Sequence, residues 1–243
     1  MVVQAREEGL LTGTDPADAV PARILVATAV PAERDAVARG LSGHPAVDVV
    51  AVDVVAVGVG PAAAAAGTAT ALTTAALAGR PYALAVSAGI GGGFTAPPGA
   101  LLVADAITVA DLGAETPEGF LPVTELGFGT VTHRPPASLV RELAAAVSAT
   151  AVGTVLTVST VTGTADRAAL LVRRHPDAVA EAMEGFGVAE AAAAHGVPVA
   201  EIRAVSNAVG PRDRAAWRIG DALAALAEAS GKAAPVLTRW SST

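Results

Sequence analysis

The sequence predicts an α/β protein: a single domain with a mixed, mostly parallel central sheet flanked by helices on both faces. Three observations carry that expectation. From Arg23 onward, short β-branched runs alternate with longer alanine-rich runs, the order expected of strands feeding helices. Hydrophobic residues make up 52% of the 243 and charged residues only 16%, so most of the chain must be buried. No internal repeat and no linker-like stretch divides it.

Taken in order, "RILVATA" (23–29) reads as a buried strand and "AERDAVARGL" (32–41) as a helix. "VDVVAVDVVAVGVG" (47–60) supplies two strands or one long bent one, and a helix follows over 62–78. "YALAVSAGIGGGF" (82–94) is a strand ending in a glycine-dense turn, and "GALLVADAITVA" (99–110) is another strand. The stretch 111–137, with no clear period, is a long loop of the kind that carries function in a small domain. A helix (138–149), a strand (152–159), a helix (166–174), a helix from Asp177 to His195 and a strand "VPVAEIRAVS" (197–206) come next. A loop to Trp217 and a helix over 218–230 complete the pattern. The expected boundaries are an N-terminal extension at 1–22, a domain at 23–230 and a C-terminal tail at 231–243.

Composition excludes several classes of activity. The net charge of −7 comes with no lysine- or arginine-rich run, so no nucleic-acid or anionic lipid surface is expected. Zero cysteines remove disulfides, thiolate metal sites and a cysteine nucleophile. The four histidines lack metal-ligand spacing, so no metal is expected, and "SAGIGGG" lacks the G-x-G-x-x-G order of a dinucleotide site, so no cofactor is expected. The first 20 residues have no signal-like apolar run, and no apolar stretch reaches about 18 residues, which suits a cytoplasmic protein without a membrane span.

In open α/β sheets ligands collect at the carboxyl ends of strands, which nominates Glu33, Ser87, Gly89, Arg203, Ser206 and Asn207. Glu33 has two readings, as a cap on the first turn of its helix or as a site residue. Arg203, inside an apolar strand, needs an anionic partner, and Glu33 is a candidate. Glu184 in "EAMEGFG" is either a solvent-facing helix residue or a ligand-binding carboxylate, with Gly185 allowing close approach.

"EAMEGFGVAEAAAAHGVPVAEIRAVSNAVGPRDRAAW" resembles the C-terminal half of the nucleoside phosphorylase and nucleosidase superfamily. "ATAVPAERDAV", "VGVGPAAAAAGTATAL" and "VSAGIGGGF" resemble its first strand, its glycine turn and helix, and its Ser-Ala-Gly turn. Within that superfamily, "VADLGAETPEGFLPVTELGFG" (109–129), "TVSTVTGT" (157–164) and "SNAVGPRDRAAWRIGDAL" (206–223) look like the futalosine hydrolases in particular, which release hypoxanthine from futalosine, a nucleoside intermediate of menaquinone synthesis.

The resemblance implies roles for the residues. Glu184 would accept hydrogen bonds from the ribose hydroxyls with Met183 packed on the sugar. Glu33 would activate water, with Arg203, Ser87 and Gly89 completing that part of the site. Val161, Thr162 and Gly163 would flank the purine, while Phe120 and Phe128 would either cover the far end of the substrate or anchor their loop. Neither position that clamps phosphate in the phosphorylases holds an arginine here, which favours hydrolysis. Asn207 stands where adenine-releasing nucleosidases have Asp. An amide both donates and accepts, which suits a 6-oxopurine. The leaving base would take its proton from solvent or from Asp213. A homo-oligomer is expected, because in related enzymes the equivalent loop completes a neighbour's site.

The alternatives are an adenine-releasing methylthioadenosine/adenosylhomocysteine-type nucleosidase, a phosphorylase, and a non-catalytic nucleoside-binding protein on the same fold.

Overall fold

β1 (Arg23–Thr28) is buried from Ile24 onward because both sides of it are covered. Ile24 and Val26 join one apolar cluster, while Leu25 and Ala27 turn to the opposite face, as the two-residue period of a strand requires. A computed structural model describes residues 22–45 and 51–241. The expected extension at 1–22 lies almost wholly outside the described residues, as does the beginning of the valine-rich segment from 47.

The remaining elements are α1 (Pro31–Leu41), β2 (Ala51–Ala56), α2 (Pro61–Leu77), β3 (Leu84–Gly93), β4 (Leu101–Val109), β5 (Gly113–Thr116), β6 (Gly119–Pro122), β7 (Thr132–His133), α3 (Ala137–Val147), β8 (Ala151–Thr157), α4 (Ala165–Arg174), β9 (Ala178–Ala182), α5 (Gly185–Ala194), β10 (Val199–Ala208) and α6 (Ile219–Ser241). The main sheet runs β10-β4-β8-β9-β3-β1-β2, and β10 also pairs with β3. That extra pairing closes β3, β10, β4, β8 and β9 into a ring, with β1 and β2 extending from β3. Pairing is parallel except for β10–β4, β3–β9 and the short β4–β7. The fold is the expected mixed α/β domain. Residues of α1, α3 and α6 pack against one face of β1, β3 and β10, while residues of α2 and α5 pack on the other.

Four local expectations are corrected. The helix expected from Asp177 is a strand, β9, followed by α5. Alanine tolerates either state, and β9 satisfies its amides between β8 and β3. The glycine-dense turn after Ser87 is continuous strand through Gly93. A side chain at Gly91 would meet the Glu181 carbonyl at 2.8 Å, so glycine there permits close strand approach. The loop at 111–137 contains the β5–β6 hairpin and β7. The stretch from 231 set apart as a tail continues α6, with Ala233, Ala234, Val236 and Leu237 buried in the core.

Candidate active site

Glu33 sits at the third position of α1, where its carboxylate reaches back to the backbone before the helix. Oε2 accepts from the Ala29 and Val30 amides at 2.9 and 3.3 Å, so the capping reading is correct. It is also incomplete, because Oε1 accepts from the Ile90 amide of β3 at 2.8 Å. Three backbone donors hold one buried carboxylate, only 4% exposed, at the carboxyl ends of β1 and β3.

Glu184 lies in the junction between β9 and α5. The break from strand to helix puts its carboxylate beside the positive end of α5, where negative charge is stabilised. Oε1 accepts from the Gly60 amide and Oε2 from the Met183 amide, each at 3.3 Å, and Arg203 Nη1 lies 3.5 Å from Oε2. Thr157 Oγ1 receives the Phe186 amide at 2.9 Å, so the helix start does not consume the Glu184 side chain. At 7% exposed, Glu184 is not the solvent-facing helix residue of the blander reading.

Both carboxylates line one cavity of about 210 Å³. Met183, Val161, Thr162, Ser206 and Asn207 line it too, so seven of the sequence-predicted residues converge. Asn207 Nδ2 donates to the Ala208 carbonyl, and its Oδ1 accepts from the Ser206 hydroxyl at 2.8 Å. Ser87, Gly89 and Arg203 stand behind this wall rather than in it. Arg203, 1% exposed, donates from Nε to Glu201 and from Nη2 to Ser87 Oγ, both at 2.8 Å. Its ion pairs are with Glu201 and Glu184 rather than with the expected Glu33. A Cβ at Gly89 would meet Arg203 Nη1 at 2.5 Å and Glu33 Oε1 at 2.7 Å, so glycine at this point lets the two charged groups approach.

Other candidates lie elsewhere. Gly163 follows Thr162 in the exposed turn and does not line the cavity. Phe120 borders a separate groove of about 430 Å³, under the Arg174 guanidinium at 4.8 Å, and Phe128 is 65% exposed. Asp213 caps the 3-10 turn Arg214–Ala216 by accepting from the Ala215 amide and does not line the cavity.

Three site residues escaped the sequence reading. Glu181, buried in the cavity wall, accepts from the Thr162 amide at 2.8 Å and from the Thr162 hydroxyl. Burial pushes its carboxyl up, and the bonds from Thr162 oppose that push. Trp217, in a loop, closes one side of the cavity. Glu201 is fully buried beside Arg203, and its signal was present: two charges at i and i+2 in a valine-rich strand share a face. Among the described residues no group of His, Asp and Glu side chains is placed to hold a metal ion, and no helix is long and apolar enough to cross a membrane.

A model of the phosphorylase superfamily matches residues 26–240. A futalosine hydrolase of Streptomyces coelicolor is 69% identical over 231 residues, covering 89% of this chain and 97% of the relative. A futalosine hydrolase of Acidothermus cellulolyticus is 48% identical over 213 residues, covering 84% and 87%. Among solved structures, the methylthioadenosine/adenosylhomocysteine nucleosidase of Colwellia psychrerythraea in complex with adenine has a TM-score of 0.73 at 19% identity, covering 90% of this chain and 96% of its own. The futalosine hydrolase of Helicobacter pylori has a TM-score of 0.68 at 18% identity, covering 90% and 97%. At those identities the two structures speak to fold alone.

Proposed function

The chain belongs to the phosphorylase superfamily and, within it, to the futalosine hydrolases, and from that membership and the cavity just described we propose that it hydrolyses the N-glycosidic bond of futalosine. The products are hypoxanthine and dehypoxanthinyl futalosine, and the reaction is a step of menaquinone biosynthesis in the cytoplasm. The observation that carries this reading is the convergence of Glu33 and Glu184 on one cavity with Met183, Thr162 and Asn207.

In the proposed reaction Glu33 accepts a proton from water as the water oxygen bonds to the anomeric carbon. The bond from that carbon to the purine nitrogen breaks, and its electron pair leaves with the base. Three backbone amides hold Glu33 in place, so little reorganisation accompanies proton transfer. Glu184 accepts from the ribose hydroxyls, and its negative charge stabilises the oxocarbenium-like transition state more than the ground state. Met183 packs on the sugar, Val161 and Thr162 border the base, and Asn207 pairs with a 6-oxopurine edge. Asn207 carries no titratable proton and Asp213 does not line the cavity, which supports solvent over Asp213 as the proton source for the departing base. No step of this route calls for a cofactor or a metal ion.

Arg203 acts from behind the wall, holding Glu184 and Ser87. Gly89 leaves the space for that arrangement. Gly163 shapes the turn beside the base. Phe120 and Phe128, on the segment between β4 and α3, would reach substrate only as part of a homo-oligomer in which this segment meets a neighbour's cavity.

The test is base release, followed by chromatography, from futalosine, inosine and methylthioadenosine without phosphate. Hypoxanthine from futalosine is the expected product. Adenine from methylthioadenosine, or release only after phosphate is added, would overturn the reading.

A further inference from the structure

The buried carboxylate of Glu201 has no place in the reaction just described, yet it occupies the centre of the support behind the cavity. It is 0% exposed, its Oε1 accepts from Arg203 Nε at 2.8 Å, and among the described residues its Oε2 has no hydrogen-bond partner. Such a group costs stability unless something else retains it. On β10, Glu201 and Arg203 point to the same side, and in the parallel register with β3 they lie opposite Ser87 and Gly89.

A guanidinium is planar, and its five N–H donors leave in fixed directions. Anchoring Nε therefore fixes where the two terminal nitrogens aim: Nη2 at Ser87 Oγ and Nη1 towards Glu184 Oε2. Glu201 does not border the cavity, so it reaches the reacting atoms only through Arg203. The space it needs comes from Gly185. A Cβ built on that glycine would overlap both oxygens of the Glu201 carboxylate. The residue directly after the ribose-facing Glu184 is thus kept small for a carboxylate on another strand.

We propose that Glu201 is a positioning residue for hydrolysis: it sets the Arg203 guanidinium so that Glu184 is held in the orientation that grips the ribose, and Gly185 is the matched vacancy that admits it. This rests on the proposed reading of Glu184, and the pair 185/201 should behave as one unit.

The experiment measures kcat, KM and Tm for Glu201→Ala, Glu201→Gln, Gly185→Ala and Gly185→Ala/Glu201→Asp, using whichever nucleoside the wild-type protein cleaves. Glu201→Ala is expected to lose at least tenfold in kcat/KM when assayed well below its Tm. Glu201→Gln, which keeps an acceptor for Nε, should recover to within about threefold of wild type. Gly185→Ala should lose as much as Glu201→Ala, and shortening the carboxylate in Gly185→Ala/Glu201→Asp should restore at least fivefold. Should Glu201→Ala not fold, the last two variants decide the matter alone. A kcat/KM within threefold of wild type in folded Glu201→Ala, or no recovery in the double variant, overturns the proposal. A wild-type protein inert towards futalosine but active on another nucleoside would overturn the assigned substrate and leave the Glu201 test standing.

Discussion

Glu33 Oε1 accepts the Ile90 amide at 2.8 Å, tying the first turn of α1 to the glycine-rich end of β3 across 57 positions of sequence. The same carboxylate takes two more amides through Oε2, so the group is rigid before substrate arrives. Glu33→Gln keeps the shape and removes the proton acceptor. Turnover should fall about a hundred- to ten-thousandfold, the usual worth of a general base, while nucleoside binding stays within a few-fold. Single-turnover base release alongside calorimetric binding separates the two quantities. Unimpaired turnover would remove Glu33 from the water-activating role.

Glu184→Gln should weaken binding and turnover together. The substitution keeps one acceptor, replaces the other with a donor, and removes the charge that faces both the ribose and Arg203 Nη1. Hydrogen bonds to charged groups contribute about 1.5–3 kcal/mol, so kcat/KM should fall about ten- to a hundredfold or somewhat more. Steady-state kinetics with a rise in KM and a fall in kcat is the expected pattern. A rise in KM with kcat unchanged would show that the ribose contact is equally strong in ground and transition states, and a fall in kcat alone that it is made only in the transition state.

The contrast between these residues and Glu201 shows what the sequence made legible. Glu33 and Glu184 could be picked out because a carboxylate after a strand, or within an apolar run, is locally conspicuous. The β1, α1, α2, β4, α3, β8 and α4 segments were legible for the reverse reason, since short β-branched runs alternate there with longer alanine-rich ones. β9 was not, because "AVAEA" is set by its two neighbours in the sheet rather than by propensity, and reading it as helix placed Glu184 on a helix face. The partner of Arg203 was assigned to Glu33 although Glu201, two positions earlier, shares its strand face; only the space that Gly185 clears for Glu201 is without a local sign. Closure of the ring by β10–β3 pairing is likewise a long-range fact.

Thr162→Val tests the brace behind the 159–163 turn. The Thr162 amide and hydroxyl both donate to Glu181, and the substitution removes the hydroxyl alone from a buried carboxylate. With that bond gone, the Glu181 carboxyl should rise still further above its usual range. The cost to stability is expected at about 1–3 kcal/mol. Because Thr162 and Glu181 also line the cavity, KM for the nucleoside should rise while kcat changes less. Denaturant melts and steady-state kinetics on the same preparation check both parts.

Tyr82, the chain's single tyrosine, gives a clean pH readout. Burial, followed by the hydrogen bond to Asp53 at 2.8 Å, pushes its phenol up to about 12 from an ordinary 10. The folded state therefore keeps a proton that the unfolded state releases first. The stability this contributes is complete below pH 10 and drains away as pH rises towards about 12. Tyrosinate absorbance should titrate as one step near 12, and near 10 in denaturant. Tyr82→Phe should abolish the signal and lower Tm by about 2–4 °C, given about 1 kcal/mol for the lost bond. A native step at 10 would refute the Asp53 contact.

α6 beyond residue 230 is the last expectation open to test. Gly231 and Pro235 argue for a helix stop at 230, since proline removes an amide donor and crowds the preceding turn at a cost of about 3 kcal/mol. The helix nevertheless continues, because Ala233, Ala234, Val236 and Leu237 are buried against the α1/α3 side of the sheet. Leu237→Ala should therefore cost about 2–5 kcal/mol, the range for emptying a buried leucine site. Deleting 231–243 removes all four side chains at once and should abolish cooperative thermal unfolding. The Tyr82 titration of that deletion should then move back towards 10, because between pH 10 and about 12 Tyr82 keeps its proton only in the folded state. A deletion that melts like the full chain would show that the helix after Pro235 carries no part of the core.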